Sequence, residues 1–101
     1  MKTVFINDKY KEVRGGYSRL LRIKCTLCNE FICNYQKDGP GGLRRMYIDR
    51  IMKPEVSLSG ESLSCPNKHV LGIRINYGGE RPAFRLFAEA VIKKIIKSGI
   101  V

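Results

Sequence analysis

The sequence predicts an α+β fold: a small antiparallel β-sheet followed by one C-terminal helix. Three observations predict it. Two Cys/His turns, Cys25-Thr26-Leu27-Cys28 and Cys65-Pro66-Asn67-Lys68-His69, each precede a strand-like run. Gly78-Gly79 separates two further runs by a hairpin-length turn. Residues 88–97 then change to a helical period.

The elements follow in chain order. Residues 1–18 read as a polar lead-in with an edge strand at 3–6, and residues 19–101 as a single domain. Residues 20–24 read as a strand feeding the first turn. Residues 31–36 alternate, with Phe31, Cys33 and Tyr35 on one face and Asn34 and Gln36 on the other. The run from Lys37 through Asp38, Gly39, Pro40 and Gly41 to Gly42 is a turn signal. Residues 43–51 read as a strand and 53–64 as a loop.

Folding the chain at Gly78-Gly79 sets Tyr77 opposite Glu80, Ile75 opposite Pro82, Ile73 opposite Phe84 and Leu71 opposite Leu86. That register makes one face apolar. The other face receives Arg74, Arg81 and Arg85, with Asn76, Ala83 and Gly72. Beyond it, Ala88, Val91, Ile92, Ile95 and Ile96 form a helical stripe, Glu89 and Lys93 stand four apart, and Ser98-Gly99 supplies a stop. Aligning Cys25 with Cys65 exposes a weak internal repeat, in which Phe31, Cys33 and Tyr35 fall on Leu71, Ile73 and Ile75.

Composition narrows the function. At 101 residues the chain is of one-domain size, and it buries only about two-thirds of its unfolded surface, so a metal staple has physical value. Hydrophobic residues make up 44%, enough for a core. Nineteen Lys and Arg against nine Asp and Glu give a formal charge of +10, which favours polyanionic partners. Val4-Phe5-Ile6 is too short for an export signal, and no run spans a membrane, so a cytoplasmic location with reduced cysteines is expected.

Thiolate and imidazole suit zinc, and a tight turn lets two ligands a few residues apart reach one ion. The spacing therefore nominates Cys25, Cys28, Cys65 and His69 as a structural Zn2+ site. Cys33 competes for the fourth position. A degenerate site, with Cys25 and Cys28 left as a reduced pair, is the other alternative.

Cys25, Cys28 and Cys65 lie where the zinc ribbon carries its knuckle ligands, and residues 24–86 resemble that family. His69 departs from its pattern by one residue and by type. The stretch Tyr35-Gln36-Lys37-Asp38-Gly39-Pro40-Gly41 also resembles a segment of small uncharacterised prokaryotic proteins. The zinc-ribbon resemblance implies a nucleic-acid-binding or protein-docking module.

Charge and register together nominate Arg74, Arg81 and Arg85, extended by Arg44 and Arg45, as the nucleic-acid-binding surface. Tyr10, Tyr17, Tyr47 and Tyr77 are candidates for base stacking. Enzyme chemistry is not expected. A four-ligand zinc has no open position, Asp49 and Glu30 are isolated carboxylates, and the deaminase pattern is absent. The sequence thus predicts a non-catalytic, metal-stabilised basic module for RNA or DNA, without membrane or small-molecule substrate. A docking module with an apolar patch near Tyr77 or Met46 is the alternative, and a Cys25/Cys28 redox protein stands behind it.

Overall fold

A computed structural model of the chain describes residues 18–39, 41–77 and 81–96. The expected edge strand at 3–6, Tyr10, Tyr17, the Gly78-Gly79 turn and the Ser98-Gly99 stop lie outside the described residues. Among the described residues there are eight strands: β1 Ser18–Cys25, β2 Phe31–Asp38, β3 Arg45–Tyr47, β4 Ile51–Met52, β5 Ser62–Ser64, β6 Val70–Tyr77, β7 Arg81–Leu86 and β8 Val91–Ile96. A 3-10 turn at Ile48–Arg50 joins β3 to β4. They form two four-stranded sheets, in the orders β4-β2-β1-β8 and β3-β7-β6-β5. Every strand pair is antiparallel.

One core lies between the sheets. Leu21, Ile23, Cys33 and Tyr35 enter it from the first sheet, and Met46, Leu63, Leu71 and Phe84 from the second. Phe84 and Met46 are fully buried, and each such side chain contributes about 1.5–3 kcal/mol relative to exposure.

The predicted C-terminal helix is absent: no α-helix occurs among the described residues, which form mostly antiparallel β-sheet. Residues 91–96 instead pair along β1, from Cys25 opposite Val91 to Leu20 opposite Ile96. Two forces favour the strand. Four of its six residues are β-branched, which helices restrict and strands accommodate. The outer edge of β1 also carries backbone donors and acceptors that β8 satisfies. The apparent helical stripe is not buried as a unit, since Ile92 and Ile95 are 42% and 58% exposed.

The expected strand at 43–51 is broken into β3, the 3-10 turn and β4, which carries the chain from the second sheet to the first. The 53–64 loop ends in a short strand, β5.

The β6–β7 register is also displaced by one residue. Tyr77 faces Arg81, Ile75 faces Ala83, Ile73 faces Arg85 and Arg74 faces Phe84. The pairing of Tyr77 with Arg81 rather than Glu80 departs by one from the register that the Gly78-Gly79 signal implies. Because side chains alternate along a strand, the slip exchanges the faces. Phe84 stays inward as expected, but Arg74 rather than Ile73 faces it, and Ile73 shares the face of Arg85 and is 45% exposed.

The internal repeat is real in the backbone, but with a different offset. A β-bulge follows each Cys turn. In the first half Ile23 pairs with Cys33 and Lys24 with Phe31, which leaves Ile32 between ladder positions. In the second half Leu63 pairs with Gly72 and Ser64 with Val70, which leaves Leu71. Ile32 and Leu71 are both buried in the core. A bulge lets consecutive residues point inward, so strict alternation from Phe31 fails. The second turn is shorter by one residue, and Leu71 corresponds to Ile32 rather than to Phe31.

Candidate functional site

The two Cys turns are built alike. In the first, the Cys25 N–H donates to Glu30 O and the Asn29 N–H to Cys25 O. In the second, the Cys65 N–H donates to His69 O and the Lys68 N–H to Cys65 O. Each contains one non-glycine residue in the left-handed region, Asn29 at φ 62 and Lys68 at φ 69. That conformation reverses the chain within one residue. It explains how His69, rather than residue 68, supplies the second ligand. Thr26 anchors the first turn to the 87–90 segment: its N–H donates to Ala90 O at 3.1 Å and its hydroxyl to Glu89 O at 2.7 Å.

These turns bring Cys25, Cys28, Cys65 and His69 together, with all four ligand atoms within 4.8 Å of one another. Cys28 Sγ lies 3.6 Å from Cys65 Sγ, and His69 Nδ1 lies 3.7 Å from Cys25 Sγ and 3.2 Å from Cys65 Sγ. A tetrahedral ion with ordinary zinc bond lengths separates two sulfurs by about 3.8 Å and a sulfur from a nitrogen by about 3.5 Å. The donor set and its spacing fit a metal ion held by three thiolates and one imidazole.

Local chemistry also suits metal capture. The His69 backbone N–H donates to Cys65 Sγ at 3.3 Å, a contact that steadies a thiolate ligand. Hydrogen bonds from the Asn67 side chain foremost, and from the Glu30 backbone, His69 and Cys25, outweigh burial and bring the Cys28 thiol down to about 6. Burial raises Cys25 above its ordinary value despite nearby backbone donors. All four cysteines of the chain are free thiols. Asn67 is a site residue that spacing arguments miss, because an Asn inside a turn has no ligand signature.

Cys33 is not part of this cluster. It is 1% exposed in the core, and burial pushes its thiol up to about 12. That is the behaviour of a small core residue, not of a ligand.

The five arginines named from sequence are distributed differently from the expected face. Arg74 lies on the other face of the β6–β7 ladder from Arg81 and Arg85. It sits 5.3 Å over the Phe84 ring and donates to Leu58 O and Gly60 O, fastening the 58–60 loop. Arg81 is buried, stacks 3.8 Å over the Tyr47 ring and reaches both oxygens of Asp49 at 3.1 Å. Asp49 is thus not an isolated carboxylate. Arg45 and Arg85 face each other directly across β3 and β7, on the same face as Arg81. Arg44 is exposed beside them.

A cavity of about 290 Å³ opens at this edge, lined among others by Tyr35, Lys37, Arg44, Arg45, Tyr47 and Arg81. Gly41, Gly42 and Asp38 complete its wall. Asp38 accepts hydrogen bonds from Ser18, Gln36 and Arg50 at 2.6, 2.9 and 2.9 Å. Burial opposes these bonds, yet together they hold its carboxyl below the usual value. In the sequence Lys37 reads only as part of a turn. Its burial is not foreseeable from a charged residue at a strand end.

Met46, one expected centre of an apolar patch, is fully buried, and the side chain of Tyr77 lies outside the described residues. Exposed apolar residues stand at the metal end instead: Leu27 at 76%, Val70 at 50% and Phe87 at 48%. No described helix is long and apolar enough to cross a membrane. Comparison with family models, curated proteins and solved structures gives no match.

Proposed function

We propose that this chain is a non-catalytic, zinc-stabilised module that binds nucleic acid through the β3–β7 side of its second sheet. The carrying observation is the ladder that sets Arg45 opposite Arg85 with Arg81 on the same face, beside exposed Arg44. Arg44, Arg45 and Arg85 on this side offer guanidinium groups to successive phosphates, while Arg81 is committed to Asp49 and braces the face from below. The net charge of +10 adds long-range attraction to any polyanion. Three thiolates and one imidazole favour zinc over harder cations. With four protein ligands the ion joins the two sheets and has no coordination position left for a substrate.

Anisotropy of labelled RNA and DNA strands, followed across salt, tests this. Affinity should fall linearly on a log–log plot, and replacing Arg45 and Arg85 should lower the slope by about one for each phosphate that is no longer neutralised. A slope unmoved by the triple replacement of Arg44, Arg45 and Arg85 rejects the surface.

A second reading, protein docking, draws on the exposed Leu27, Val70 and Phe87 at the metal end. It requires association with one defined protein that persists after nuclease treatment and disappears when Leu27 and Phe87 become serine.

A further inference from the structure

The outward face of the first sheet carries a second group of cations. Leu21 and Ile23 enter the core, so Arg22 and Lys24, which alternate with them along β1, point away from it. Lys94 of β8 stands directly opposite Arg22, and Ile92 stands opposite Lys24. Arg22 and Lys94 are both exposed, and Ile92 is 42% exposed. Three cations and an apolar side chain thus share one face of the β1–β8 ladder.

These charges are uncommitted. Among the described residues, the side chains of Arg22, Lys24 and Lys94 make no hydrogen bond and meet no carboxylate. Asp38, on the same face opposite Ser18, accepts instead from Ser18, Gln36 and Arg50. Like charges directly opposite each other in a ladder are destabilising. No described residue offsets that cost at Arg22 and Lys94, whereas an anion laid across the pair would.

The two basic faces point in opposite directions. Phe84 and Met46 enter the core from the second sheet, so Arg85 and Arg45, next to them in β7 and β3, point outward there. The core separates the sheets, and packed sheets lie about 10 Å apart before their outward side chains are added. A duplex, with a persistence length of about 150 base pairs, cannot bend from one face round to the other. We infer that the β1–β8 face is a second nucleic-acid site, and that one chain bridges two separate nucleic-acid segments through its opposite faces. The bridging rests on the nucleic-acid reading above, which itself needs only the β3–β7 face.

Energy transfer between short DNA duplexes tests this. Identical duplexes of about 12 base pairs, too stiff to wrap the domain, are labelled half with a donor and half with an acceptor dye. The same titration is run with their separated strands. Full chain at low salt should raise transfer, and excess chain should lower it again as each duplex acquires a chain of its own. The double variant Arg22→Gln with Lys94→Gln should reduce transfer about tenfold or more, because two phosphate contacts are lost at one site. It should still bind one duplex by anisotropy, which isolates the β3–β7 face for the salt slope, and should not lower the melting temperature. Arg44→Gln with Arg85→Gln should reduce transfer equally. Lys53→Gln with Lys93→Gln removes the same charge from exposed positions outside both groups and should keep it.

Binding without transfer, of the duplex or of its separated strands, overturns the bridging and leaves the nucleic-acid reading standing. Transfer retained by the Arg22 and Lys94 variant assigns it to association between chains and overturns the second site. An equal loss in the Lys53 and Lys93 variant makes the effect one of net charge and overturns the site as well. No binding of duplex or strand rejects the nucleic-acid reading itself, and the bridging with it.

Discussion

The Sγ atoms of Cys28 and Cys65 lie 3.6 Å apart, one contributed by the β1–β2 turn of the first sheet and the other by the β5–β6 turn of the second. The separation is too long for a disulfide and matches two thiolates on one tetrahedral ion. The candidate metal site therefore joins the two sheets at one end, and its four side chains come from turns of different sheets. A staple in that place adds to stability what a small shared core does not supply alone.

Removing the ion should accordingly loosen the whole domain. Chelation is expected to lower the melting temperature by more than about 10 °C, given that about 1 kcal/mol moves a domain of this size by 4–8 °C. Native mass spectrometry should count one metal per folded chain before chelation and none after. A metal-free chain with an unchanged melting curve would falsify the staple.

The fourth ligand can be examined separately. His69→Ala should abolish stoichiometric metal, whereas His69→Cys should restore it, because a thiolate at that position keeps four soft donors. Cys33→Ser should leave metal content intact and cost about 1–3 kcal/mol, since it places a hydroxyl in an apolar core. Loss of metal in the Cys33 variant with full retention in His69→Ala would exchange the two assignments.

Asp38 provides a pH signature independent of the metal ligands. Burial works against its charge, but hydrogen bonds from Ser18, Gln36 and Arg50 outweigh burial and hold its pKa below the ordinary 3.8. A depressed carboxylate contributes stability that is complete above its unfolded pKa and is lost as pH falls through its lower folded value. The difference in urea unfolding free energy between the native chain and Asp38→Asn should be constant from neutrality down to about pH 4 and shrink below it, because protonation of the metal ligands acts on both chains alike. Asp38→Asn leaves Arg50, 1% exposed, without its carboxylate, and should cost about 3 kcal/mol at neutral pH while flattening the acid limb. An unchanged acid limb in the variant would assign the decline to other groups.

Gly72 lies where β6 runs close against the β7 backbone. A Cβ there would meet the Arg85 carbonyl group and would lie 3.1 Å from Leu86 Cα, all backbone atoms that cannot swing aside. Gly72→Ala should therefore destabilise the chain by about 2–3 kcal/mol, a large effect for one methyl group. Gly42→Ala, with open space around its Cβ, should be close to neutral by the same denaturation assay.

The metal cluster was legible because ligand type and turn spacing are local properties. Cys25, Cys28, Cys65 and His69 needed only tight turns to converge, and tight turns are written in neighbouring residues. Register was not legible, because it depends on things no window displays. The bulges at Ile32 and Leu71 and the β6–β7 pairing each differ by one position from the expected register, and one position is enough to exchange faces. The helix expected at 88–97 failed for a related reason. Val91, Ile92, Ile95 and Ile96 satisfy a helical spacing and a β composition equally, and the open edge of β1 decided between them. The partner of that edge is a tertiary fact.

The register makes a final prediction, in which two arginines grouped by sequence behave oppositely. Arg74 is committed to structure: it covers Phe84 and donates to the Leu58 and Gly60 carbonyls. Arg85 is exposed opposite Arg45 on the other face of the ladder. Arg74→Ala should cost about 1–3 kcal/mol, because it strips two carbonyls of a charged donor and uncovers an aromatic ring. It should leave the salt slope of nucleic-acid binding unchanged. Arg85→Ala should leave stability within about 0.5 kcal/mol, as an exposed substitution does, and should lower the slope by about one. Measuring melting temperature and slope on both variants gives a crossed result if the observed register is right. The sequence-derived register, with Arg74 and Arg85 on one outward face, requires both variants to lower the slope and neither to disturb the fold.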